Sequence, residues 1–133
     1  MLISGASAGQ RIRIVEGDFL TDLIPGGHDA FMAANVVHVL DPEGNLQLFQ
    51  RVRASSAPKA RLLLVDLWTN SEHTEPLFAA LMAGEFLVVG GNGDVYSADE
   101  VRAWLAQTGW SFVEHKPLAG PASLIVAEAA GEL

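Results

Sequence analysis

The chain has 133 residues, half of them hydrophobic, which is enough for one domain with a substantial core. Its formal net charge of −8 opposes binding to nucleic-acid phosphates and anionic lipid, and the absence of cysteine excludes a disulfide framework, a thiolate nucleophile and a zinc ribbon. The first residues do not read as a signal peptide and no apolar run approaches the ~20 residues that span a bilayer, so we expect a soluble, cytoplasmic domain.

The first part of the chain combines short apolar runs with turn signals. The segment "RIRIVEGDF" (11–19) predicts a short strand over Arg11–Glu16 and then a turn. The continuous apolar run "AFMAANVV" (30–37) predicts a strand buried on both faces. Asp41 and Pro42 then predict the N-cap and first residue of a helix, which "SSAPKA" ends at Pro58.

A second strand and two helices follow. The run "RLLLVD" (61–66) is strongly strand-like and ends on the carboxylate of Asp66. Apolar residues at i, i+4 spacing predict a helix over 75–87. The segment "SADE" (97–100) is a capping box and predicts a helix start. The apolar face of that last helix comprises Val101, Trp104 and Leu105.

The chain ends in two strands, "WSFVEHKPL" (110–118) and "ASLIVAEA" (122–129), whose short connection predicts an antiparallel hairpin. The preceding alternation of strands and helices predicts a mainly parallel α/β sheet with helices on both faces. Ligands of such sheets bind beyond the carboxyl ends of the strands, where the sequence places Asp18, His38 and Asp66.

Three stretches together resemble one known family. The stretches "VEGDFLTDLIPGGHDAFMAANVVHVLDPE", "RLLLVDLW" and "GDVYSADEVRAWLAQTGW" are similar to the carboxyl-terminal half of class I S-adenosylmethionine-dependent O-methyltransferases. The nearest group contains the plant caffeate and flavonoid O-methyltransferases and bacterial hydroxyneurosporene methyltransferase. The likeness runs from Arg11 to Ala129. It implies a partial Rossmann-like methyltransferase sheet, S-adenosyl-L-methionine as methyl donor, and a small aromatic or polyketide-like hydroxyl compound as methyl acceptor.

The resemblance implies which residues contact the cofactor. Asp18 falls in the family's turn at the adenine, where its carboxylate would accept a hydrogen bond from the exocyclic amine, and Phe19 would supply an apolar wall. Asn35 is assigned to the cofactor on the same ground. Asp18 also has a purely structural interpretation, because aspartate often forms an Asx turn.

The resemblance also implies the catalytic residues. His38 falls on the family's catalytic base, although Val39 and Leu40 replace the Asp-Trp that follows the histidine in the plant-like enzymes. Asp66 matches the acid that flanks this base, and Asp94 is the nearest carboxylate to a second flanking position. A neutral imidazole can take a proton from a hydroxyl, and a carboxylate can orient the ring. The alternative is a structural histidine at a strand–helix junction.

The family's corresponding helix lines the acceptor pocket, which assigns Met82 and Phe86 to the pocket, with Trp68 beside them. An apolar stripe at helical spacing also suits a core or an interface. The other histidines, 28, 73 and 115, lack metal-ligand spacing, so we expect no metal site.

The family's glycine-rich cofactor turn has no counterpart in the sequence. The segment "GASAG" (5–9) matches G-x-S-x-G by letter, but it lacks the preceding strand and following helix that would make Ser7 a nucleophile. We therefore expect residues 1–133 to form a single, truncated catalytic domain, inactive in isolation. The alternative is a non-catalytic α/β module that binds a ligand or another chain.

The family's strand order, 3-2-1-4-5-7-6, has a consequence for assembly. Two strands that would separate Arg11–Glu16 from 30–37 do not occur in the sequence. The strand over 30–37 would then have an open edge, which invites pairing. Either the Arg11–Glu16 strand pairs with it directly, or two chains join at their edges. We expect a homodimer.

Overall fold

The computed structural model describes residues 11–90 and 93–131. These residues form four strands, three helices and one 3₁₀ turn. In chain order they are β1 (His28–Ala34), the 3₁₀ turn (Val37–Val39), α1 (Pro42–Ser55), β2 (Ser56–Asp66), α2 (Leu77–Gly90), α3 (Ala98–Gln107), β3 (Trp110–Pro117) and β4 (Ser123–Ala129).

The strands form one mixed sheet in the order β1-β2-β4-β3. β1 and β2 run parallel, and the contiguous hairpin of β3 and β4 joins β2 through an antiparallel pair. The predicted α/β sheet with its carboxyl-terminal antiparallel hairpin is confirmed. The order β1-β2-β4-β3 corresponds to the strands 4-5-7-6 of the family's sheet, as the resemblance implies.

The two strongest local signals act as predicted. The side chain of Asp41 accepts a hydrogen bond from the Gly44 N–H at 2.7 Å, which caps the first turn of α1. At the start of α3, Ser97 and Glu100 each accept a bond from the other's backbone N–H, at 3.1 and 3.0 Å. Both helices therefore begin where the sequence predicts.

The core lies between one face of the sheet and two helices. Residues Phe31, Leu62 and Ala127 are paired across three neighbouring strands and so share that face. The helical residues of the apolar cluster come from α1 and α3 only, and all three apolar residues predicted for the face of α3 are buried. The buried helical residues of the cluster are Leu48, Phe49, Val52, Val101, Trp104 and Leu105.

The other face of the sheet is more open. Met32, on the opposite side of β1 from Phe31, is 66% exposed, and Val113 of β3 is 45% exposed. Helix α2 is almost entirely apolar, yet most of its large side chains face solvent. Those exposed by half or more are Leu77, Phe78, Leu81, Leu87, Val88 and Val89.

The predicted strand over Arg11–Glu16 is wrong. Residues 12–16 have no regular structure, and Ile12 and Ile14 are about half exposed. An alternating pattern becomes a strand only when a neighbouring strand completes its hydrogen-bond ladder. Among the described residues β1 pairs with β2 alone, so this segment does not pair with the free edge of β1 and completes no ladder.

Two strand boundaries also differ from the prediction. β1 stops at Ala34 because Asn35 adopts a left-handed conformation, with φ of 59°. β2 starts at Ser56, so Pro58 lies inside the strand and does not end the helix. The β1–β2 register shifts in this part of β2, and Lys59 there has a positive φ. The start of the β1–β2 pair is therefore irregular.

None of the helices within residues 11–90 and 93–131 has the length and apolar character needed to cross a membrane.

Candidate active site

The site is built where β1 gives way to the 3₁₀ turn. The left-handed Asn35 redirects the chain, while its N–H still donates to the carbonyl of Val65 on the parallel neighbour at 2.9 Å. The following turn carries His38 to the carboxyl end of β2. His38 thus lies in a 3₁₀ turn and not at a strand end, but at the sheet edge that the sequence indicates.

Asp66, the last residue of β2, meets His38 there. Its side chain is only 1% exposed and accepts three hydrogen bonds. The donors are the backbone N–H of His38 at 3.1 Å, the backbone N–H of Leu67 at 2.8 Å, and Nδ1 of the His38 ring at 2.8 Å. A buried carboxylate needs such partners, because it has lost its hydration.

These bonds assign the histidine tautomer. An ionised carboxylate can only accept hydrogen bonds, so the ring nitrogen facing Asp66 must carry the proton. In the neutral ring, Nε2 of His38 is then left with its lone pair. The His38 side chain is 15% exposed, so solvent reaches this ring only in part. The pair has the arrangement of a general base and its orienting acid.

A phenyl ring covers one face of the imidazole. Phe86 of α2 stacks on His38 with 4.0 Å between ring centroids and 14° between planes. The resemblance implies an acceptor-pocket role for Phe86, and here its ring contacts the ring of His38. Met82 lies one turn earlier on α2 and is half-buried. Trp68 is buried and donates through Nε1 to the Ser123 carbonyl at 3.1 Å, which anchors it to β4.

Further contacts hold the 3₁₀ turn and were not foreseen from the sequence. Asn45 of α1 is fully buried, and its Nδ2 lies 3.1 to 3.3 Å from the carbonyl oxygens of Val37, Leu40 and Asp41. The Tyr96 hydroxyl donates to the Leu40 carbonyl at 2.6 Å. The one available signal was an asparagine on the stripe of α1 that also carries Leu48 and Phe49, where an apolar residue is the ordinary choice.

The segment before α3 supports His38 through its backbone. The N–H of Asp94 donates to the carbonyl of His38 at 3.1 Å. The carboxylate of Asp94 accepts from the N–H of Val95 at 2.7 Å. The described geometry therefore gives Asp94 a backbone contact to the base, and a flanking-acid role for its side chain stays a prediction.

Two of the three residues assigned to the cofactor lie away from His38. Asp18 and Phe19 line an apolar cavity of about 290 Å³ between residues 15–25 and the core, and neither His38 nor Asp66 is in its lining. Oδ1 of Asp18 accepts from the Leu20 N–H at 2.8 Å, which is the Asx turn of the structural alternative. Asn35 is exposed and lies three residues before His38 in the chain. The cofactor roles of these three residues stay predictions.

Two further expectations concern a metal site and a serine nucleophile. Within residues 11–90 and 93–131, no three histidine, aspartate or glutamate side chains are grouped so that they could hold a metal ion. The "GASAG" segment with Ser7 lies outside the described residues.

The fold and the His–Asp pair define an α/β domain with a hydrogen-bonded histidine and aspartate at the carboxyl edge of its sheet. The family of the O-methyltransferase domain matches residues 3–111, and the chain belongs to this family.

Several characterised proteins are similar to this chain. A 3-hydroxy-5-methyl-1-naphthoate 3-O-methyltransferase of Streptomyces sahachiroi is 29% identical over 119 residues, which cover 90% of this chain and 34% of that protein. The S-adenosyl-L-methionine-dependent methyl transferase PigF of a Serratia strain is 28% identical over 121 residues, covering 90% and 35%. The chain thus spans about a third of the length of these relatives.

The fold is shared with a solved structure. An O-methyltransferase family 2 protein from Planctomyces limnophilus, crystallised with apigenin, superposes with a TM-score of 0.80 at 29% identity. The match covers 86% of this chain and 33% of the other. The carboxyl-terminal methyltransferase sheet expected from the sequence is therefore confirmed.

The Tyr96 hydroxyl makes the stability of the folded chain depend on pH. Burial, reinforced by the carboxylates of Asp94, Asp41 and Glu100, raises the pKa of Tyr96 from its ordinary value near ~10 to about 12. Between pH ~10 and 12 the Tyr96 hydroxyl is ionised in the unfolded chain but keeps its proton in the folded chain. The free energy of unfolding is therefore highest below pH ~10 and falls as the pH rises towards 12. We predict that denaturant unfolding midpoints decline over this interval.

Because Tyr96 is the sole tyrosine of the chain, tyrosinate absorbance reports its ionisation directly. The control is Tyr96→Phe, which should be less stable at pH 8 but should lose less stability between pH 8 and 11. A Tyr96 titration at the ordinary pKa, or an equal alkaline decline in Tyr96→Phe, would contradict the prediction.

Proposed function

We propose that the chain is the carboxyl-terminal part of the catalytic domain of an S-adenosylmethionine-dependent O-methyltransferase. Its acceptor is a hydroxyl group of a small aromatic or polyketide-like molecule. The observation that carries this proposal is the hydrogen bond from Nδ1 of His38 to buried Asp66, which leaves Nε2 as a proton acceptor. Membership of the O-methyltransferase domain family supports it.

The chemistry follows from this geometry. Nε2 of His38 would take the proton of the acceptor hydroxyl while that oxygen accepts the methyl group from the sulfonium donor, whose sulfur would keep the bonding electron pair. The imidazolium formed is stabilised by the carboxylate of Asp66, which also keeps the ring in place. S-adenosyl-L-methionine supplies the electrophilic methyl group.

Part of the donor site can be assigned to described residues. Asp18 accepts one internal hydrogen bond through Oδ1 and retains acceptor capacity for an adenine amine. Phe19 lines the same apolar cavity, and Asn35 is exposed near the base. These residues suit the adenine end of the donor, but no described segment provides a glycine-rich turn for its methionine end. The sequence and the geometry thus support a partial donor site.

The proposed acceptor class is supported by the relatives. One of them is named for a hydroxyl of a naphthoate, and the Planctomyces limnophilus protein was crystallised with apigenin. Both compounds are flat and aromatic, and both carry hydroxyl groups. Met82 of α2 is proposed to contact such an acceptor, because it lies one turn from the ring that stacks on His38. A cytoplasmic location stays a prediction.

A second candidate role is supported by exposed apolar surface. Met32 on β1 is 66% exposed at the outer edge of the sheet, and residues 12–16 do not extend the ladder there. Direct pairing of the Arg11–Glu16 strand with β1, one of the two possibilities considered from the sequence, is absent from the described chain. We propose that two copies of the chain associate through the β1 edge, and that an isolated chain acts as a dimerisation module.

Donor binding tests the partial site. We predict that the 133-residue chain binds S-adenosylmethionine weakly or not at all, because only the adenine end has partners. Isothermal titration calorimetry should show no micromolar affinity. The matched positive control is the Streptomyces sahachiroi relative under the same conditions. Micromolar binding by the chain alone would mean that its donor site is complete.

Activity tests the base. In a chimera in which this chain replaces the matching third of the Streptomyces sahachiroi relative, His38→Ala should lower the turnover rate by about 100-fold or more, the usual size of a general-base contribution. Donor affinity should stay nearly unchanged. His28→Ala, at the opposite end of β1, is the matched control and should keep the rate. Unchanged turnover in His38→Ala would leave His38 as a structural residue.

Light scattering tests the association. We predict a mass twice the 14.1 kDa of the chain at micromolar concentration. Met32→Lys should shift it towards monomer, because a lysine on an edge strand opposes pairing. The matched control is Val88→Lys on α2, where Val88 is 84% exposed. A wild-type monomer would refute the dimer, and dissociation by Val88→Lys alone would place the contact on α2.

A further inference from the structure

The base is enclosed by two residues that have no polar side-chain group of their own. Phe86 stacks on the face of the His38 ring. Gly93 passes behind the same residue so closely that an added Cβ would collide with the carbonyl oxygen of His38 and would lie 3.3 Å from Cβ of Phe86. The three residues form one packed unit, although they come from the 3₁₀ turn, from α2 and from the segment before α3.

We infer that Phe86 and Gly93 are positioning residues of the base. This inference rests on the proposed function, because it concerns how His38 is kept ready to accept a proton. The hydrogen bond to Asp66 holds one edge of the imidazole, but when that bond breaks the ring is free to rotate about its Cβ–Cγ bond. A near-parallel phenyl ring at 4.0 Å removes that freedom.

Phe86 has a second effect on the same ring. The face of a phenyl ring carries partial negative charge, so it attracts a cation placed over it. His38 becomes cationic when it accepts a proton, and the phenyl face then favours that state together with Asp66. An aliphatic side chain of similar volume would fill the space without this attraction.

Gly93 acts through the main chain. Because it has no Cβ, the chain comes close enough for the next residue, Asp94, to donate its N–H to the carbonyl of His38 at 3.1 Å. The backbone of His38 is thereby held at its carbonyl, while Asp66 holds its N–H. Any side chain at residue 93 would push these segments apart, since backbone atoms cannot move aside as a flexible side chain can.

The test is the tautomer of His38, read by long-range ¹H–¹⁵N correlation spectra of the full 133-residue chain, with His38→Ala used to assign the signals. Wild type should show the Nδ1–H tautomer alone. In Phe86→Leu and Phe86→Ala the ring nitrogen signals should shift towards the average of both tautomers. Phe86→Tyr, which keeps an aromatic face, should restore the wild-type signals. Gly93→Ala should shift them as well.

Two substitutions on α2 are matched controls. Phe78→Ala removes a phenyl ring that is 52% exposed, and Gly84→Ala adds a Cβ that meets no atom within 4 Å. Both should leave the His38 signals as in wild type. Backbone amide spectra check that each variant folds. If Phe86→Ala does not fold, Phe86→Leu carries the test.

The outcomes separate the two levels of inference. If wild type shows the Nδ1–H tautomer and Phe86→Leu keeps it unchanged, the positioning role is overturned, while the assignment of His38 as the base stands. If wild type shows no preference for Nδ1–H, the assignment of His38 as the base fails, and the positioning role fails with it.

Discussion

One buried charge determines the rest of the site. The carboxylate of Asp66 lies at the end of β2 with 1% of its side chain exposed, and an ion there is tolerated only if hydrogen bonds replace the lost water. Two of its three donors belong to His38, one on the backbone and one on the ring. The same carboxylate therefore fixes both the main chain and the side chain of the base.

The surrounding elements act as a support for this contact. The parallel pairing of β1 with β2 brings the 3₁₀ turn and Asp66 to one edge, and Asn35 turns the chain there. Asn45 of α1 then donates to the carbonyl oxygens of Val37 and Leu40 in this turn. Tyr96 adds a bond from the segment before α3. These side chains are far apart in sequence, yet all of them restrict the same few backbone atoms, which is how an active site acquires a defined geometry.

The segment that carries Asp18 and Phe19 is supported differently. Asp18 and Phe19 belong to a segment without strand or helix, and its link to α1 is a set of bonds from Arg51 to the carbonyls of Phe19 and Asp22. The cavity beneath it is apolar and open, whereas the base is packed on several sides. This contrast agrees with a chain that spans about a third of its relatives' length. The contacts that orient His38 lie within the described residues, whereas the proposed donor site has only its adenine end there.

The sequence alone determined the features that depend on neighbouring residues. The caps at Asp41 and Ser97 act within three residues, the hairpin turn joins adjacent strands, and both were predicted because their causes are local. The family likeness also indicated His38 and Asp66. The tertiary structure decided what depends on distant partners. Within the described residues, the alternating segment at Arg11–Glu16 forms no strand because it does not pair with the open edge of β1. Phe86 meets His38 only after α2 packs on the 3₁₀ turn. His38 and Asp66 are separated by 28 residues, and only the parallel pairing of two strands brings their side chains within hydrogen-bonding distance.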